Sequence, residues 1–588
     1  MNIKKIIQRA EQKMMQNNLI EARELLIKAL KVNNSNIDLL NKLAFISFKL
    51  NAINDAKTYL EKLVLIAHNP EAEKNLLMIY FQSREWENAK KLIEKTQIKD
   101  PKNYLLKKNY AYVLGKLEHF DNANMLYKEL IEENAGDVNL YINFGYLLNL
   151  QEKYKEAIKN YQQGLNLEKD NYHLHYNIGV TYKNIRKFEE SIVHFKKALS
   201  INSMDYQIWL TMAGSMLEML NVDGAVDALD RAAEINSSNP ELFYQRAILK
   251  QTQGRYDESI EVLKQALLLD KNHIMANKQL GLMYLKMGKY SEGANHYRYR
   301  VTDNSRVIID FDVNNIEKNK DILVAWEEGV GDTLVYIRLL RGLSEIAGSI
   351  SVVVQDKLYQ YIKNNYPEYA ILKDSDIKNI RNDEKYINHT KLNFASILRF
   401  IEDPEKLSYS EKQHVSNPDE IDLYRNVKFK RKKEKRIVGL SWKSVNKEIL
   451  HEHKSYNLSM LTGVFENKEN YLVNLQYGEI DNELKTVEQK FNREIYIDTD
   501  LDYYEDFVGL ANIIASCDVV VTCSNVTAHL AGALHIETYL LLPKESGVIW
   551  YWYPDEENSR WYPTVKIIRQ QQQGEWSKVY ERINKILG

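Results

Sequence analysis

At 588 residues the chain is too long for one hydrophobic core, so two or three domains are expected. It carries 79 basic and 81 acidic residues, for a net charge of −2. This balance gives no electrostatic reason to expect nucleic acid or another polyanion as a partner.

Small residues recur every 34 positions through the first half of the chain. A fixed period of this length predicts one helical hairpin repeated many times, because helices that cross closely need small residues there. Extended backwards, and ended where Arg300 breaks the third row, the pattern predicts about nine repeats over residues 1–302. The rows are Leu77, Ala44 and Ala10 leading into Ala111, Gly145, Gly179, Ala213, Ala247 and Gly281; Ala123, Ala157, Ser191, Ala225, Ser259 and Gly293; and Gly164, Ala198, Ala232 and Ala266.

Bulky residues separate these rows, in the arrangement typical of tetratricopeptide repeats (TPRs), which this half of the chain resembles. We interpret them as packing between neighbouring hairpins rather than as a ligand site. They are Tyr141, Tyr182, Trp209, Phe243 and Tyr284 on first helices, and Tyr127, Tyr161, Phe195 and Tyr297 on second helices.

A row of amides lies two residues ahead of the first small row. An amide both donates and accepts hydrogen bonds, so such a row can hold the backbone of an extended peptide whatever its side chains are. We expect an acceptor peptide in the groove of the repeats; the alternative is that these residues serve helix contacts alone. The row is Asn75, Asn109, Asn143, Asn177, Thr211, Gln245 and Gln279, and all of its members except Thr211 are amides.

The start of the chain, MNIKKIIQRAEQKMMQ, alternates charged and apolar residues, unlike a signal peptide. No segment approaches the roughly 20 apolar residues that span a bilayer. Cys517 and Cys523 lie in one apolar stretch and are interpreted as reduced core thiols. We expect a soluble, cytoplasmic protein with no membrane span.

From about residue 321, short apolar runs alternate with helix-like segments, which predicts parallel sheets. The expected strands are ILVAW, ISVVVQ, IVGLSW, NYLVNLQYG, IYIDT, DVVVTCS and ETYLLLP. We expect a connector at 303–320, a Rossmann-like lobe at 321–425, a linker at 426–436 and a second such lobe at 437–588. The predicted fold class is α + α/β, a TPR solenoid followed by two lobes that bind ligands at the carboxyl ends of their strands.

The linker contains the basic run KFKRKKEKR. A solvated connection between domains explains it most simply. The more specific alternative is a basic edge of a binding site for an anionic ligand. Nucleic-acid binding is disfavoured because no base-stacking module accompanies the run. The basic residues are Lys428, Lys430, Arg431, Lys432, Lys433, Lys435 and Arg436.

Two turns in the second half contain the residues most suited to chemistry. The first contains Gly329, Gly331 and Asp332, between a strand and a helix, where glycines let backbone N–H groups approach an anionic ligand. Asp332 is also placed to cap the helix. A third glycine is missing, so the turn is not a complete dinucleotide-binding motif.

The second turn runs from Cys523 to His529 into a helix-like segment. Its polar residues Ser524, Asn525 and Thr527 stand at a helix start, where free N–H groups bind phosphate. His529 is placed to donate to the same anion or to a sugar hydroxyl. The alternative is a helix cap with a histidine that is satisfied within the protein.

Taken in order, WEEGVGDT, GLSWKS, NLQYGE, TAHLAGAL, LLLP and SRWYPTVKIIRQ resemble the C-terminal domain of bacterial TPR-containing protein glycosyltransferases. That group includes flagellin glycosyltransferases and has a heptosyltransferase-like GT-B fold. The resemblance covers roughly residues 321–573. It implies an acceptor side in the first lobe and a nucleotide-sugar side in the second.

By position, the resemblance makes Asp332 a general base and Lys443 a contact to the donor phosphate. Ser524 stands where relatives usually carry aspartate, and Asn525 where threonine is common. The nucleotide-sugar set implied or expected around them is Gly329, Gly331, Lys443, Gln476, Tyr477, Ser524, Asn525, Thr527 and His529. The aromatic residues Trp550, Tyr551, Trp552, Tyr553, Trp561 and Tyr562 are expected partly to stack on sugar or base and partly to pack.

The expected activity is inverting, metal-independent transfer of a sugar to Ser or Thr of a protein. The resemblance makes flagellin the first acceptor, a CMP-linked nonulosonic acid the first donor and UDP-sugars the second. No metal site is expected, and His451 and His453 are interpreted as solvated. The alternatives are an adaptor with an inactive transferase domain, for which Ser524 is the warning sign, and an enzyme of glycolipid synthesis.

Overall fold

The computed structural model describes most of the chain. The ranges are 3–97, 100–300, 316–376, 383–410, 412–414, 418–429, 435–444, 454–544, 549–553, 556–572 and 574–588. Residues 303–315 of the expected connector, residues 430–434 of the basic run, and His451 and His453 lie outside the described residues.

The first half of the described chain forms eighteen helices that pair in sequence into nine hairpins. The bounds are α1 Ile3–Met15, α2 Leu19–Leu30, α3 Ile37–Lys49, α4 Ile53–Ile66, α5 Pro70–Gln82, α6 Trp86–Gln97, α7 Tyr104–Lys116, α8 Phe120–Glu133, α9 Val138–Leu150, α10 Tyr154–Leu167, α11 Tyr172–Asn184, α12 Phe188–Ile201, α13 Tyr206–Glu218, α14 Val222–Ile235, α15 Pro240–Thr252, α16 Tyr256–Leu269, α17 Ile274–Lys286 and α18 Tyr290–Tyr297.

The small rows lie where the two helices of a hairpin cross. A β-carbon on Gly145 of α9 would lie 2.3 Å from Cε1 of Tyr161 on α10, so a larger residue would overlap this ring where it stands. The same relation places Gly179 against Phe195. Tyr161 and Phe195 are fully buried. Their burial supports the interpretation of the bulky residues as packing between helices.

The turn inside each hairpin repeats its backbone conformation as well as its position. One residue in each turn has a positive φ, the conformation that glycine adopts most easily. Only two of these nine residues are glycine, so the sequence gives little sign of the shared turn. They are Asn17, Asn51, Arg84, Glu118, Glu152, Arg186, Leu220, Gly254 and Gly288.

The chain divides into two compact units, Met1–Ser237 and Ser238–Gly588. The first unit contains α1 to α14. The second contains α15 to α18 together with both sheets. Within this second unit one continuous hydrophobic core includes Leu285 of α17, Val324 of the first sheet and Val520 of the second sheet.

The first sheet has four parallel strands in the order β3-β2-β1-β4. They are β1 Lys320–Ala325, β2 Ala347–Val354, β3 Ala370–Lys373 and β4 Thr390–Asn393. The accompanying helices are Val330–Tyr336, Leu340–Ser344, Tyr359–Asn365, Glu384–Ile387, Pro404–Ser410 and Pro418–Leu423, with 3-10 turns at Ile337–Leu339, Asp356–Leu358 and Phe394–Arg399 and a π turn at Tyr424–Lys428.

The second sheet has five parallel strands in the order β6-β5-β7-β8-β9. They are β5 Arg436–Ser441, β6 Asn470–Asn474, β7 Val519–Thr522, β8 Glu537–Leu542 and β9 Val565–Arg569. The accompanying helices are Thr462–Glu466, Asp481–Phe491, Phe507–Ala515, Val526–Ala533 and Ser577–Leu587, with 3-10 turns at Leu458–Met460 and Trp550–Trp552.

This architecture confirms the predicted fold class, a helical solenoid followed by an α/β region with parallel sheets. One expectation was wrong. The run IYIDT is not a strand: Tyr496 makes an isolated bridge to Val473, and the chain then enters a turn in which Asp498 accepts from the Asp500 N–H. The aromatic residues Trp550 to Tyr553, Trp561 and Tyr562 are all buried, which agrees with the part of the expectation that concerned packing; stacking on a ligand stays a prediction.

Among the described residues, no helix combines the length and apolar character needed to cross a bilayer. Cys517 and Cys523 are free and fully buried. Burial raises the pKa of the Cys523 thiol to about 12, so it stays protonated.

Candidate functional site

The first glycine turn follows β1 and begins the helix Val330–Tyr336. Gly329 precedes the helix, and its N–H donates to Oδ2 of Asp332 at 3.1 Å. The Gly329 carbonyl accepts from the Thr333 N–H at 3.1 Å. Asp332 therefore has the capping role that the sequence allowed, and this role fixes the orientation of its half-buried carboxylate.

The other oxygen of Asp332 is bound by a tyrosine from near the end of the chain. Tyr551 donates from its hydroxyl to Oδ1 of Asp332 at 3.2 Å, and the same hydroxyl lies 3.4 Å from Nε2 of His529. Burial, followed by the nearby charge of Asp332, raises the pKa of Tyr551 well above its usual value. The phenol is thus a permanent donor to the carboxylate.

His529 lies between the two turns. Its Nδ1 is 3.1 Å from the Tyr562 hydroxyl, and its ring stacks on Trp552 with centroids 5.1 Å apart. Because Tyr551 gives its proton to Asp332, His529 donates from Nε2 to Tyr551 and accepts at Nδ1 from Tyr562. A chain of hydrogen bonds therefore runs from Tyr562 through His529 and Tyr551 to Asp332.

The closeness of His529 also explains a glycine. A β-carbon on Gly331 would lie 2.8 Å from Cδ2 of the His529 ring. Burial, with the charges of Arg338 and Lys454 as smaller causes, lowers the pKa of His529 to about 3, so the ring is neutral near pH 7. Both ring nitrogens face partners inside the protein, as the alternative of a histidine satisfied within the protein expects. Donation from His529 to a ligand stays a prediction.

The second turn caps the helix Val526–Ala533. Oδ1 of Asn525 accepts from the Thr527 N–H at 3.0 Å, and Nδ2 donates to Oγ of Ser441 at 2.7 Å. The Trp552 indole donates to Oγ of Ser524 at 3.1 Å. Ser524, Asn525 and Thr527 are all buried. These side chains thus bind groups of the protein, and anion binding at this turn stays a prediction.

Gln476 joins two strand ends at the carboxyl edge of the second sheet. It is fully buried, and its Oε1 accepts from the N–H groups of Trp442 at 2.9 Å and Lys443 at 2.8 Å. This amide shapes the end of β5 next to β6. The predicted contact between Gln476 and nucleotide is untested.

Lys443 extends from the end of β5 and forms an ion pair. Its Nζ lies 2.6 Å from Oε1 of Glu483, on the helix Asp481–Phe491. Burial favours the protonated form of Glu483, but the hydrogen bond and charge of Lys443 outweigh it, so the pKa of Glu483 lies below its usual value. One quarter of the Lys443 side chain remains exposed. A donor phosphate would have to compete with Glu483 for this ammonium.

Tyr477 stands half-buried after β6, where the two sheets' carboxyl edges meet. Its ring centroid is 5.9 Å from that of Tyr504. The Lys357 ammonium, which follows β2 of the first sheet, lies 3.7 Å from the Tyr504 centroid. A cation and two aromatic rings therefore border this edge, which suits a planar or anionic ligand.

The described part of the basic run is tied to the second lobe. Lys428 binds Oδ2 of Asp498 at 2.8 Å. Arg436 donates from Nη2 to Oδ1 of Asn470 and to the Leu587 carbonyl, both at 2.8 Å. These contacts show that at least these two basic residues stabilise the fold, beyond any role as a solvated connection.

All members of the amide row are partly buried on first helices. Asn75, Asn109, Asn143 and Asn177 belong to the first unit, and Gln245 and Gln279 to the second. Nε2 of Gln245 donates to Oε1 of Glu241 at 2.8 Å, and Nε2 of Gln279 donates to Oε1 of Gln251 at 2.6 Å. The last two members therefore already take part in helix contacts.

Comparison with known proteins identifies the helical half. A model described as TPR repeat matches residues 126–185, and one described as tetratricopeptide repeat matches 172–203 and 240–273. The chain contains tetratricopeptide repeats. Such repeats indicate a role in protein interaction.

Among curated proteins, the chain is 23% identical to Protein FlbA of Caulobacter vibrioides over 319 residues, which is 51% of this chain. The chain spans about half the length of that relative, 52%. This similarity does not test the glycosyltransferase resemblance.

Three solved structures show similarity at low identity. YrrB, described as a TPR protein with an unusual peptide-binding site, is 17% identical with a TM-score of 0.26, over 31% of this chain and 95% of that one. PilF of Pseudomonas aeruginosa is 19% identical with a TM-score of 0.31, over 35% and 94%. A tetratricopeptide repeat protein of Parabacteroides merdae is 16% identical with a TM-score of 0.33, over 48% and 98%.

Several residues at the candidate site were not singled out by the sequence. Ser441, Glu483 and Tyr504 bind or face residues that were. Tyr551 and Trp552 were noted only as members of an aromatic run. Their hydrogen bonds to Asp332 and Ser524 join the two predicted turns. No local spacing reveals such pairings, because the partners are far apart in the chain.

Proposed function

We propose that the protein is an inverting, metal-independent glycosyltransferase. It moves a sugar from a nucleotide-sugar to a Ser or Thr hydroxyl of a protein bound by the tetratricopeptide repeats. Flagellin is the first acceptor to test, a CMP-linked nonulosonic acid the first donor, and UDP-sugars the second.

The observation that carries the proposal is the way the Asp332 carboxylate is held. It lies at the carboxyl edge of a parallel sheet, where ligands bind in such folds. The Gly329 N–H fixes one oxygen and the Tyr551 hydroxyl fixes the other. A carboxylate held in one orientation is suited to accept a proton from a hydroxyl placed beside it.

In the proposed reaction the acceptor hydroxyl gives its proton to Asp332 as its oxygen attacks the anomeric carbon. The bond between that carbon and the donor phosphate breaks, and the nucleotide leaves with the electron pair. Lys443 stabilises the charge that develops on the departing phosphate. Attack opposite the leaving group inverts the anomeric configuration.

The adaptor alternative has one observation in its favour. The polar side chains of the second turn bind groups of the protein, with Ser524 bound to Trp552 and Asn525 bound to Ser441. Polar groups that already have hydrogen-bond partners within the protein do not require a ligand to satisfy them. In this alternative the repeats bind a protein and the α/β region transfers no sugar.

The test is incubation of candidate flagellin with radiolabelled nucleotide-sugars and either wild-type protein or Asp332→Ala. The proposal expects label on flagellin with the wild type and a loss of at least about 10²-fold in the variant. Glu345→Gln, an exposed carboxylate in the first lobe, is the matched control and should transfer normally.

Transfer that survives Asp332→Ala removes the proposed base. Binding of flagellin with no transfer from any donor favours the adaptor. Label that appears on lipid instead of protein would support the third alternative, glycolipid synthesis.

A further inference from the structure

A cavity of about 380 Å³ lies in the second unit, where the last repeats meet the α/β region. The repeats contribute Gln251, Gln279 and Met283 to its wall, and the α/β region contributes Ile549, Trp550 and Tyr553. We call it the junction cavity. Neither the proposed proton transfer nor the donor site uses it.

The polar part of this wall contains a pair of amides beside Tyr256 and the charged side chains of Asp257, Lys286 and Lys544. Gln279 donates from Nε2 to Oε1 of Gln251 at 2.6 Å. Gln251 donates from Nε2 to Oγ of Ser259 at 3.0 Å and to Sδ of Met283 at 3.3 Å. Gln251 is therefore held in place by its neighbours and fixes Gln279 in turn. The second N–H and the carbonyl oxygen of Gln279 form a donor and acceptor pair that matches a peptide group.

Apart from these polar side chains, the wall is mostly apolar and adaptable. Met283 is buried at the base, and Met287 is 50% exposed at the rim. Methionine thioethers accommodate apolar side chains of varied shape. Trp550 and Tyr553 are almost completely buried and add aromatic atoms to the wall. A group with one peptide amide and one apolar side chain complements this combination.

The turn that forms one wall also reaches the candidate active site. Trp550 and Tyr553 line the junction cavity, whereas Tyr551 binds Asp332 and Trp552 binds Ser524. Adjacent residues of one short turn therefore face the cavity and the Asp332 network. A chain segment bound in the cavity would lie against the same turn that orients the proposed base.

From this arrangement we infer that the junction cavity binds a segment of the acceptor protein, with an apolar side chain between Met283 and Trp550 and a backbone amide on Gln279. The inference rests on the proposed function for the identity of the partner. It makes Gln279, the last of the amide row, part of a pocket with side-chain preference rather than part of a uniform groove.

Methyl-labelled methionine NMR of the full chain tests the inference, because Met283 and Met287 line the cavity. The probe is N-acetyl-leucine amide, and N-acetylglycine amide lacks only the side chain. The expected result is a shift of the Met283 and Met287 methyl signals with the leucine compound and a much smaller one with the glycine compound. Met125, exposed in the first unit, should not move.

Two variants locate the binding. Gln279→Ala should weaken the leucine compound about three- to tenfold by removing one hydrogen bond. Met287→Glu places a charge at the exposed rim and is expected to leave the fold intact. It should weaken binding of the leucine compound at least as much, as measured by the Met283 methyl signal. Met275→Glu is the matched control, since Met275 is also exposed on α17 and does not line the cavity.

The inference is overturned if the leucine compound moves neither methyl signal, or if its effect survives both variants unchanged. It is also overturned if UMP or a free monosaccharide moves Met283 instead. If the protein binds the leucine compound but transfers no sugar, the cavity is supported and the proposed function is contradicted. If Met287→Glu transfers sugar with the same acceptor KM as the wild type, the proposed function is supported and the role of the cavity is contradicted.

Discussion

The Tyr551 hydroxyl donates to Oδ1 of Asp332 at 3.2 Å across a separation of 219 residues. The bond connects the aromatic turn after β8 with the glycine turn after β1. It makes the orientation of the proposed base depend on the second lobe. Loss of this contact between the lobes would therefore also change the orientation of the Asp332 carboxylate.

Tyr551→Phe should lower transfer by about ten- to a hundredfold while the fold persists. A hydrogen bond to the ionised carboxylate stabilises that form, so its removal should move the acidic limb of the kcat/KM profile to higher pH. The profile measured with flagellin and labelled donor tests this. Tyr539→Phe is the control, because that hydroxyl binds Glu537 instead. Identical acidic limbs in Tyr551→Phe and wild type would contradict the role.

His529 should make the stability of the second unit depend on pH. Its folded pKa is about 3, below the ordinary value of 6.5, so the unfolded state binds the proton first as the pH falls. The contribution of neutral His529 is complete above pH 6.5 and is lost progressively towards pH 3. In that window it adds about 1.4 kcal/mol per pH unit to the slope of unfolding free energy.

His529→Gln should remove this slope, measured by denaturant unfolding followed through tryptophan fluorescence at several pH values. His414→Gln is the control, because His414 is exposed in the same unit and its replacement should leave the slope in place. Equal slopes for wild type and His529→Gln between pH 6 and pH 4 would show that the imidazole is not buried and neutral.

The hairpin crossing makes a paired prediction. Gly145→Ala should destabilise the repeats by about 1–3 kcal/mol, because the new methyl overlaps the buried Tyr161 ring. The double variant Gly145→Ala with Tyr161→Leu should recover much of the loss, since the chain pairs Ala213 with Leu229 at the equivalent positions. Thermal unfolding followed by circular dichroism measures both. A double variant no more stable than Gly145→Ala alone would contradict the proposed packing.

The sequence predicted the repeats well because their period is local and is copied many times. It also predicted that both polar turns follow strands of parallel sheets. It did not predict β3, β4 or β9, which are short strands at the sheet edges, and it placed a strand at IYIDT where only Tyr496 bridges. Edge strands carry weak patterns because one side lacks a partner strand.

At the candidate site, the residue types were easier to predict than their partners. Gly331 was expected to make room for a ligand, yet it makes room for His529. Gln476 was expected near nucleotide, and its amide oxygen accepts from the N–H groups of Trp442 and Lys443, which follow β5. Both contacts join residues distant in sequence, and spacing along one chain does not encode them.

The amide row predicts a loss of acceptor binding without a loss of folding. Replacing Asn109, Asn143 and Asn177 by Ala should weaken acceptor binding about 10²-fold, at about 1 kcal/mol for each lost hydrogen bond. Isothermal calorimetry with flagellin measures it. The matched control replaces the exposed amides Asn122, Asn139 and Asn166, which lie outside the row. Equal weakening in both triple variants would mean that the row has no special role, and a lost thermal transition would mean that the repeats had unfolded.

Replacing Lys443 and replacing Glu483 should change the donor KM in opposite directions. If Lys443 binds the donor phosphate, Lys443→Gln should raise the donor KM about tenfold, which corresponds to about 1.4 kcal/mol. Glu483→Gln should lower the donor KM, because it releases the ammonium from its ion pair at 2.6 Å. Lys485→Gln, an exposed lysine on the same helix, should leave it unchanged.

Steady-state transfer at varied donor concentration, with the melting temperature of each variant, separates the two roles of this pair. A purely structural pair would lower the melting temperature in both variants and leave the donor KM where it was. A rise in donor KM in both variants would mean that Glu483 holds Lys443 in the position that binds the phosphate, rather than competing for it. The opposite signs follow only if the phosphate and Glu483 share one cation.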